Sequence, residues 1–245
     1  MKLLAFDTST DVMSIAVSRD DGAAAGLWQL RGEGGAKAST NLIPGVLELM
    51  RQSGMVLGEL DAICFGCGPG SFTGLRTACS VAQGLAFGAN VLVLPVNSLL
   101  AVAEEARYTA LAAAESGQVT ALLDARMDEI YTATFAFEAG AWTELQSATL
   151  LKPEGVTLPQ PHAGEAVAAG NAFTVYGERL IGLPAEATRI HAVPQAAAML
   201  RLAPQLLVAG NAVSAELALP TYVRDKVAQT TAERVAIKAA QAAAL

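Results

Sequence analysis

The chain has 245 residues, of which 53% are hydrophobic and 16% are charged, and its formal net charge is −7. This apolar content excludes a disordered chain and is enough for the packed core of one large or two modest domains. The acidic balance argues against a protein that holds nucleic acid alone, because neutralising phosphates needs Lys and Arg.

Three strands are predicted at the start of the chain. Apolar and β-branched residues occupy 3–6, 12–18 and 23–30, and an Asp-Gly turn at 19–22 joins the last two. This pattern predicts an antiparallel meander. The Gly-rich residues 31–38 that follow have the composition of a mobile loop.

Helices and strands then alternate along the first half. Ser39, Thr40 or Asn41 is predicted to cap a helix that ends at Gly54. The next predicted elements are a strand at 61–67, a helix at 72–87, a strand at 91–94 and a helix at 98–115. The resulting order, β-β-β-α-β-α-β-α, predicts a mixed sheet packed with helices, so the fold class is α/β.

A second unit follows Gly117. Strands are predicted at 119–123 and 129–137, and prolines mark an irregular middle region with short helices. Further helices are predicted from Pro194 to about residue 208 and over 232–243. We divide the chain into an N-terminal subdomain (1–103), a C-terminal subdomain (104–222) and a helical tail (223–245).

No segment of the sequence is typical of export or of a membrane span. The apolar run 1–5 is too short for a signal peptide and meets Asp7 at once. The uncharged stretch 77–103 is interrupted by Gly, Asn and Pro, as in buried helices and strands. We expect a cytoplasmic protein that has no contact with a membrane.

A glycine-rich loop is the most distinctive segment. It reads Gly68-Pro69-Gly70-Ser71-Phe72-Thr73-Gly74-Leu75-Arg76 and lies between a predicted strand and a predicted helix. Such a loop either presents backbone N–H groups to a phosphate or turns a strand tightly into a helix. It lacks the lysine of a phosphate-binding P-loop, and Phe72 is bulky beside a pyrophosphate. These departures favour the structural turn.

An acidic turn follows the first predicted strand. Asp7, Thr8 and Ser9 have the chemistry to bind Mg²⁺ through water and a nucleotide phosphate through hydroxyl groups. The alternative is an Asx turn that starts the hairpin. ATP or ADP is therefore a weak candidate ligand at these three residues.

Cysteine and histidine offer little chemistry. Cys64 and Cys67 form a C-x-x-C near the end of a predicted strand, where we expect buried apolar side chains rather than a redox pair. The two histidines, His162 and His191, stand far apart in sequence. We therefore expect no metal site. The sequence also offers no nucleophile–base pair of the kind that a peptidase needs.

A charged cluster occupies 124–129, and Arg224 and Lys226 lie near the C-terminus. Arg126 is suited to a phosphate or to a carboxylate of a partner. A local salt bridge at a hairpin explains the cluster equally well. The sequence leaves these alternatives open.

Four segments resemble the TsaB family of bacterial proteins. They are the glycine-rich loop, Asp7-Thr8-Ser9, Asp124-Ala125-Arg126 and Pro220-Thr221-Tyr222-Val223-Arg224, in the family's order. The resemblance implies the actin-like ATPase fold with two subdomains. It also implies a non-catalytic, dimer-forming subunit of the machinery that places a threonylcarbamoyl group on the adenosine beside the anticodon of tRNA.

The resemblance also implies partners. The catalytic relative TsaD binds the metal and performs the transfer, the ATPase TsaE joins the pair, and TsaC supplies the threonylcarbamoyl adenylate. The complex, rather than this chain alone, reaches tRNA. In TsaD-like proteins metal-binding histidines follow the strand after the glycine loop. Here the corresponding residues 95–102 contain no histidine.

We therefore expect a scaffold subunit that forms a heterodimer with TsaD, or a homodimer in isolation. The helices after Ala38 and Phe72 are predicted to pack against the partner through apolar and small residues. The residues assigned to this interface and its structural loop are Leu42 and Val46 on the first helix, Ala78 and Ala82 on the second, and Gly68, Pro69, Gly70, Ser71, Phe72, Thr73, Gly74 and Arg76. The alternative hypothesis is an actin-fold enzyme that binds a nucleotide through Asp7 and the glycine-rich loop.

Overall fold

The first half of the chain forms a five-stranded mixed sheet. A computed structural model describes residues 1–21, 25–160 and 165–224. The strands of the first sheet are β1 (Lys2–Asp7), β2 (Val12–Arg19), β3 (Gly26–Glu33), β4 (Ala62–Gly68) and β5 (Leu92–Asn97). Their order is β3-β2-β1-β4-β5; β1, β2 and β3 form the predicted antiparallel meander, and β4 and β5 run parallel to β1.

Three long helices accompany this sheet. They are α1 (Ala38–Ser53), α2 (Phe72–Ala89) and α3 (Ser98–Ala110). Gly54 ends α1 in the left-handed conformation, with a φ of 69°. Asn97 caps α3 by accepting hydrogen bonds from the N–H groups of Leu99 and Leu100.

Two local predictions at α1 are wrong. Residues 31–38 are not one loop, because β3 stays paired with β2 as far as Glu33 and a 3-10 turn at Gly35–Lys37 leads into α1. The helix consequently starts before the predicted cap residues. Its N-cap position is Lys37, which makes no side-chain capping hydrogen bond. The Ser39 hydroxyl instead donates to the carbonyl oxygen of Ala36.

The second half forms another five-stranded mixed sheet. Its strands are β6 (Ser116–Asp124), β7 (Ile130–Glu138), β8 (Ala141–Leu151), β9 (Glu165–Gly170) and β10 (Thr188–His191), in the order β10-β9-β6-β7-β8. The helices α4 (Ala172–Tyr176) and α5 (Ala196–Val208) follow β9 and β10. The region predicted as irregular therefore contributes two strands to this sheet. The sequence hides them because β9 contains three alanines and a glutamate, which are depleted in strands, and because β10 is only four residues long.

The two sheets share a core. Helix α5 packs against α3 and against β1 and β2 of the first sheet. The hydroxyl of Ser14 on β2 accepts from the N–H of Ala196 at 2.9 Å. Beyond α5 the chain returns to the first sheet, where Val213 exchanges backbone hydrogen bonds with Val93.

The predicted subdomain boundary at residue 103 falls within α3, which separates the two sheets along the chain. Helix α5 and residues 211–221 pack on the first sheet, although they were assigned to the C-terminal subdomain. The predicted helix at 232–243 lies outside the described residues, as does Lys226. Within the described ranges, no helix is long and apolar enough to cross a membrane.

The cysteines are buried, reduced side chains. Cys64 and Cys67 lie on β4 in the cores on opposite sides of the first sheet, as alternation along a strand requires. Burial raises the pKa of Cys64 to about 12 and that of Cys67 to about 11. At neutral pH both remain thiols, which are poor nucleophiles and poor metal ligands.

A buried glutamate ties α3 to the second half. The carboxylate of Glu104 accepts hydrogen bonds from Arg107 at 2.7 Å, from Arg201 of α5 at 2.6 Å and from the indole N–H of Trp142 on β8 at 3.1 Å. The pKa of Glu104 is lowered because these donors outweigh the effect of its burial. The network holds three elements together.

We predict that Ala82→Glu destabilises the isolated protein by more than about 3 kcal/mol, because it places a charge in a dry core without a partner. Ala82 is fully buried on α2. The matched control is Ser80→Glu on the exposed face of the same helix, which should change the free energy of unfolding by no more than about 0.5 kcal/mol. Urea denaturation of both variants measures the difference. Equal stabilities would contradict the packing of α2.

Candidate functional site at the cleft between the sheets

The acidic turn after β1 is closed to solvent. Asp7 is 0% exposed. Its Oδ1 accepts hydrogen bonds from the N–H of Ser9 at 2.8 Å and from the Ser9 hydroxyl at 2.7 Å, and its Oδ2 accepts from the Ser98 hydroxyl at 3.2 Å. The carboxyl group thus receives all its donors from the protein. This is the Asx-turn arrangement that the sequence left as an alternative to metal binding.

The neighbouring strand seals the Asp7 carboxyl group. A Cβ atom on Gly66 of β4 would lie 1.8 Å from Asp7 Oδ2, so only glycine leaves room for the carboxyl group. Burial raises the pKa of Asp7, and the hydrogen bonds from Ser9 and Ser98 oppose this effect. A cation would need an open oxygen ligand, which this arrangement does not provide.

The glycine-rich loop lies against the acidic turn. The N–H of Ser71 donates to the carbonyl oxygen of Ser9 at 2.8 Å, and the Thr8 hydroxyl donates to the carbonyl oxygen of Gly74 at 2.7 Å. A Cβ atom on Gly74 would lie 1.9 Å from the Thr8 carbonyl oxygen, and one on Gly70 would lie 2.5 Å from Ser9 Cβ. The glycines therefore allow α2 to approach the turn after β1.

The same loop also contacts the C-terminal segment. Gly68 ends β4, its peptide bond to Pro69 is cis, and its backbone lies against the carbonyl oxygen of Thr221. The N–H of Thr221 donates to the carbonyl oxygen of Cys67 at 2.7 Å. One residue on, the ring of Tyr222 lies 5.4 Å from that of Phe72. We call residues 221–224 the strap.

The far end of the strap holds a strained turn. Arg126, Met127 and Asp128 have φ values of 61°, 56° and 59°, a left-handed conformation that costs non-glycine residues about 1–2 kcal/mol each. The Arg224 guanidinium donates to the carbonyl oxygens of Ala125 and Arg126 at 3.1 and 3.3 Å and to the Glu129 carboxylate at 2.6 Å. The strap therefore joins the glycine-rich loop to this turn.

Arg126 connects the two sides of the cleft. Its guanidinium donates to Asp11, which follows the acidic turn, and lies 3.5 Å from Asp124. The Asp11 and Arg126 side chains are largely exposed, so the ion pair is worth at most about 1 kcal/mol. Of the alternatives that the sequence left open, the structure shows the local salt bridge, from Arg126 to Asp124 within the turn, and adds a second one from Arg126 to Asp11 across the cleft.

A cleft of about 210 Å³ lies between these elements. Residues of the acidic turn, the glycine-rich loop, the strap and the strained turn line it; among them are Ser9, Asp11, Pro69, Phe72, Asp124, Tyr131, Asn171 and Tyr222. Asp7 and Thr8 do not. Asp124 already accepts hydrogen bonds from the Tyr176 hydroxyl and from the N–H of Arg126. The acidic groups Asp11 and Asp124 at the cleft thus have protein partners.

The predicted interface side chains divide into two groups. Leu42 and Val46 of α1 and Ala78 and Ala82 of α2 are fully buried in the protein's own core. They cannot touch a partner in this fold, which corrects their assignment as contact residues. Phe72, Thr73 and Arg76 are exposed on the first turns of α2.

Several contacts in the site had no sequence signal. The Asn171 side chain accepts a hydrogen bond from the N–H of Asp124, and the Tyr176 hydroxyl on α4 donates one to the Asp124 carboxylate. Both residues lie in the region predicted as irregular. His191 lies exposed on the edge strand β10, and His162 lies outside the described residues. Within the described ranges, no three Cys, His, Asp or Glu side chains converge as a metal site would require.

Comparisons with known proteins show which family the chain belongs to. The family model described as TsaD, a tRNA N6-adenosine threonylcarbamoyltransferase, matches residues 35–243. The tRNA threonylcarbamoyladenosine biosynthesis protein TsaB of Escherichia coli K12 is 33% identical over 232 residues, which cover 93% of this chain and 96% of that protein. The protein of the same name in Haemophilus influenzae is 32% identical, and the matched region covers 93% of this chain and 95% of that protein.

Solved structures agree with the sequence comparison. YeaZ from Pseudomonas aeruginosa superimposes with a TM-score of 0.78 at 36% identity, covering 90% of this chain and 99% of that one. A second structure from that organism, titled as an uncharacterized protein with similarity to the peptidase YeaZ, gives 0.79 at 36% identity, over 91% and 99% of the two chains. The two mixed sheets with their helices define an α/β protein with the actin-like ATPase fold. The chain belongs to the TsaB family within that class.

We predict that Gly74→Ala lowers the free energy of unfolding by more than about 2 kcal/mol, because the new methyl group meets backbone atoms that cannot move aside. Gly84→Ala in the same helix is the matched control. Its Cβ would meet nothing within 4 Å, so it should stabilise the protein by about 0.5–1 kcal/mol through helix propensity. Thermal or urea unfolding of both variants tests this. A neutral Gly74→Ala would contradict the close contact with Thr8.

We also predict a pH-dependent difference between the wild type and Asp7→Asn. The folded-state pKa of Asp7 is raised above its ordinary value of 3.8, so the unfolded chain loses this proton first as the pH rises. The wild type should therefore lose stability relative to the variant as the pH rises from about 4 through the raised pKa. Urea denaturation at several pH values measures this difference. A difference independent of pH would show that burial does not shift this group.

Proposed function

We propose that this chain is the non-catalytic partner subunit of TsaD in the formation of threonylcarbamoyladenosine in tRNA. Family membership supports this, since the E. coli and H. influenzae relatives are named as biosynthesis proteins of that nucleoside. The match to the TsaD family model supports a pairing of two related folds. Related subunits that pair through equivalent surfaces form pseudo-symmetric dimers.

The observation that carries the proposal is the outer surface of α1 and α2. The two helices contact each other and pack against the first sheet. Their outer faces expose apolar side chains, among them Ile43 and Leu47 on α1 and Phe87 on α2, where Leu47 is 54% and Phe87 83% exposed. Exposed Ser80 and Gly84 lie between Thr73 and Phe87 and leave room for a neighbouring helix. Exposed apolar side chains on two neighbouring helices support a protein–protein interface at this surface.

A non-catalytic role agrees with the chemistry of the cleft. Asp7 is sealed by β4 and accepts hydrogen bonds from Ser9 and Ser98, so its carboxyl group is out of reach of a substrate or a cation. The alternative, a nucleotide-binding enzyme that uses Asp7 and the glycine-rich loop, requires this turn to open. The loop's contacts with residues 7–9 oppose such an opening.

The assembly that we propose contains TsaD, with TsaE joining the pair. The outer faces of α1 and α2 also explain a homodimer in isolation, because a second copy presents the same apolar surface. A net charge of −7 supports tRNA contact through the other subunits rather than through this chain.

We predict that Leu47→Glu weakens the complex with TsaD by roughly 100-fold or more, since it buries a charge at the centre of the interface. Val208→Glu is the matched control, because Val208 is 91% exposed at the end of α5 on another surface. Co-purification with TsaD and the yield of threonylcarbamoyladenosine with TsaD, TsaE and TsaC should fall for Leu47→Glu alone. If Leu47→Glu bound like the wild type, the proposed interface would be wrong.

A further inference from the structure

Two aromatic residues hold Arg76 in place near the start of α2. The guanidinium carbon of Arg76 lies 3.8 Å from the centre of the Phe72 ring, and Arg76 Nε donates to the Tyr222 hydroxyl at 3.2 Å. The Phe72 and Tyr222 rings lie 5.4 Å apart. We call these three residues the Arg76 cluster. Phe72 and Tyr222 are 39% and 44% exposed, and Arg76 is exposed, so the cluster lies on the surface.

Arg76 has no acidic partner in the part of the chain that the structure describes. Most arginines there lie within 4.0 Å of a carboxylate; they are Arg19, Arg31, Arg51, Arg107, Arg126, Arg179, Arg201 and Arg224. The terminal nitrogens of Arg76 have no acceptor among the described residues. A guanidinium held by a ring and a hydroxyl, but not neutralised, is preorganised to bind an anion.

The position of the cluster points to a protein ligand. Arg76 lies one helical turn before Ser80, so the cluster continues the outer face of α2 that carries Gly84 and Phe87. Arginine and tyrosine are, with tryptophan, enriched among the residues that dominate binding at protein interfaces. The aromatic ring also shields one face of the guanidinium from water, which strengthens its pairing with a carboxylate.

A nucleic acid fits this surface less well. Affinity for RNA comes from several cations that neutralise several phosphates, whereas the Arg76 cluster offers one cation on a chain of net charge −7. We therefore propose that the Arg76 cluster binds a carboxylate side chain of TsaD and so anchors one end of the interface. This proposal rests on the proposed function, because it takes TsaD as the partner. Tyr222 acts as a positioning residue that directs the guanidinium toward the partner.

Affinity measurements with full-length TsaD test the proposal. Arg76→Gln should weaken binding about 10-fold and Arg76→Glu roughly 100-fold, whereas Arg76→Lys, which keeps the charge but loses the planar group, should fall between the wild type and Arg76→Gln. Arg189→Gln is the matched control, an exposed arginine on β10, and should change the affinity less than about twofold. Thermal unfolding of each variant checks that the fold is intact.

Two further measurements make the test specific. The affinity of the wild type should fall with added NaCl more steeply than that of Arg76→Gln, because the variant has lost one ion pair. In a panel of Asp→Lys and Glu→Lys variants of TsaD, one should restore binding to Arg76→Glu. Restoration would identify the carboxylate.

The outcomes separate this proposal from the proposed function. If the wild type and Arg76→Glu bind TsaD equally, the Arg76 proposal is overturned and the proposed function stands. If the wild type does not bind TsaD, both fail. If the isolated chain binds tRNA or ATP and Arg76→Gln abolishes that binding, then Arg76 binds a phosphate group. That result would overturn the proposal of a carboxylate ligand.

Discussion

The structure depends on one close contact, that between the glycine-rich loop and the turn after β1. Three glycines of β4, the loop and α2 lie where a methyl group would collide with Asp7, Thr8 or Ser9. Hydrogen bonds from Thr8 to Gly74 and from Ser71 to Ser9 fix the approach. The contact sets the position of α2 on the sheet, and with it the direction of the helix face that we propose binds TsaD. In this chain the glycines serve internal packing, whereas in a phosphate-binding loop they leave room for a pyrophosphate.

The strap carries this constraint to the second half of the chain. The N–H of Thr221 donates a hydrogen bond to β4, and the ring of Tyr222 packs on Phe72 of α2. Arg224 donates hydrogen bonds to the backbone beside the strained turn at 126–128. The same short segment therefore contacts the surface proposed for the partner and the rim of the cleft. Such an arrangement couples the position of α2 to that of the second sheet through hydrogen bonds and packing.

The sequence predicted the parts of the fold that depend on local patterns. The meander, β4, α2 and the end of α1 at Gly54 follow from alternation, apolar runs and a glycine in the left-handed conformation. Strands β9 and β10 were missed because pairing of β9 with β6 and of β10 with β9, not intrinsic propensity, makes them strands. The burial of Ala82 was not predictable from its helix alone, since small residues suit both a core and an interface. The contacts of Arg126 with Asp11 and of Arg76 with Tyr222 join residues more than 100 positions apart, and no local pattern reports them.

We propose that this chain acts through its surface and that Asp7 has a structural role. The most direct measurement is the rate of threonylcarbamoyladenosine formation by TsaC, TsaD and TsaE with the wild-type chain or with Asp7→Asn. The two side chains have nearly the same shape, so the variant keeps the turn but removes the acid. We predict that the reaction proceeds at the wild-type rate with the variant. A folded variant that binds TsaD normally but supports no reaction would contradict the claim, because Asp7 would then be part of the chemistry.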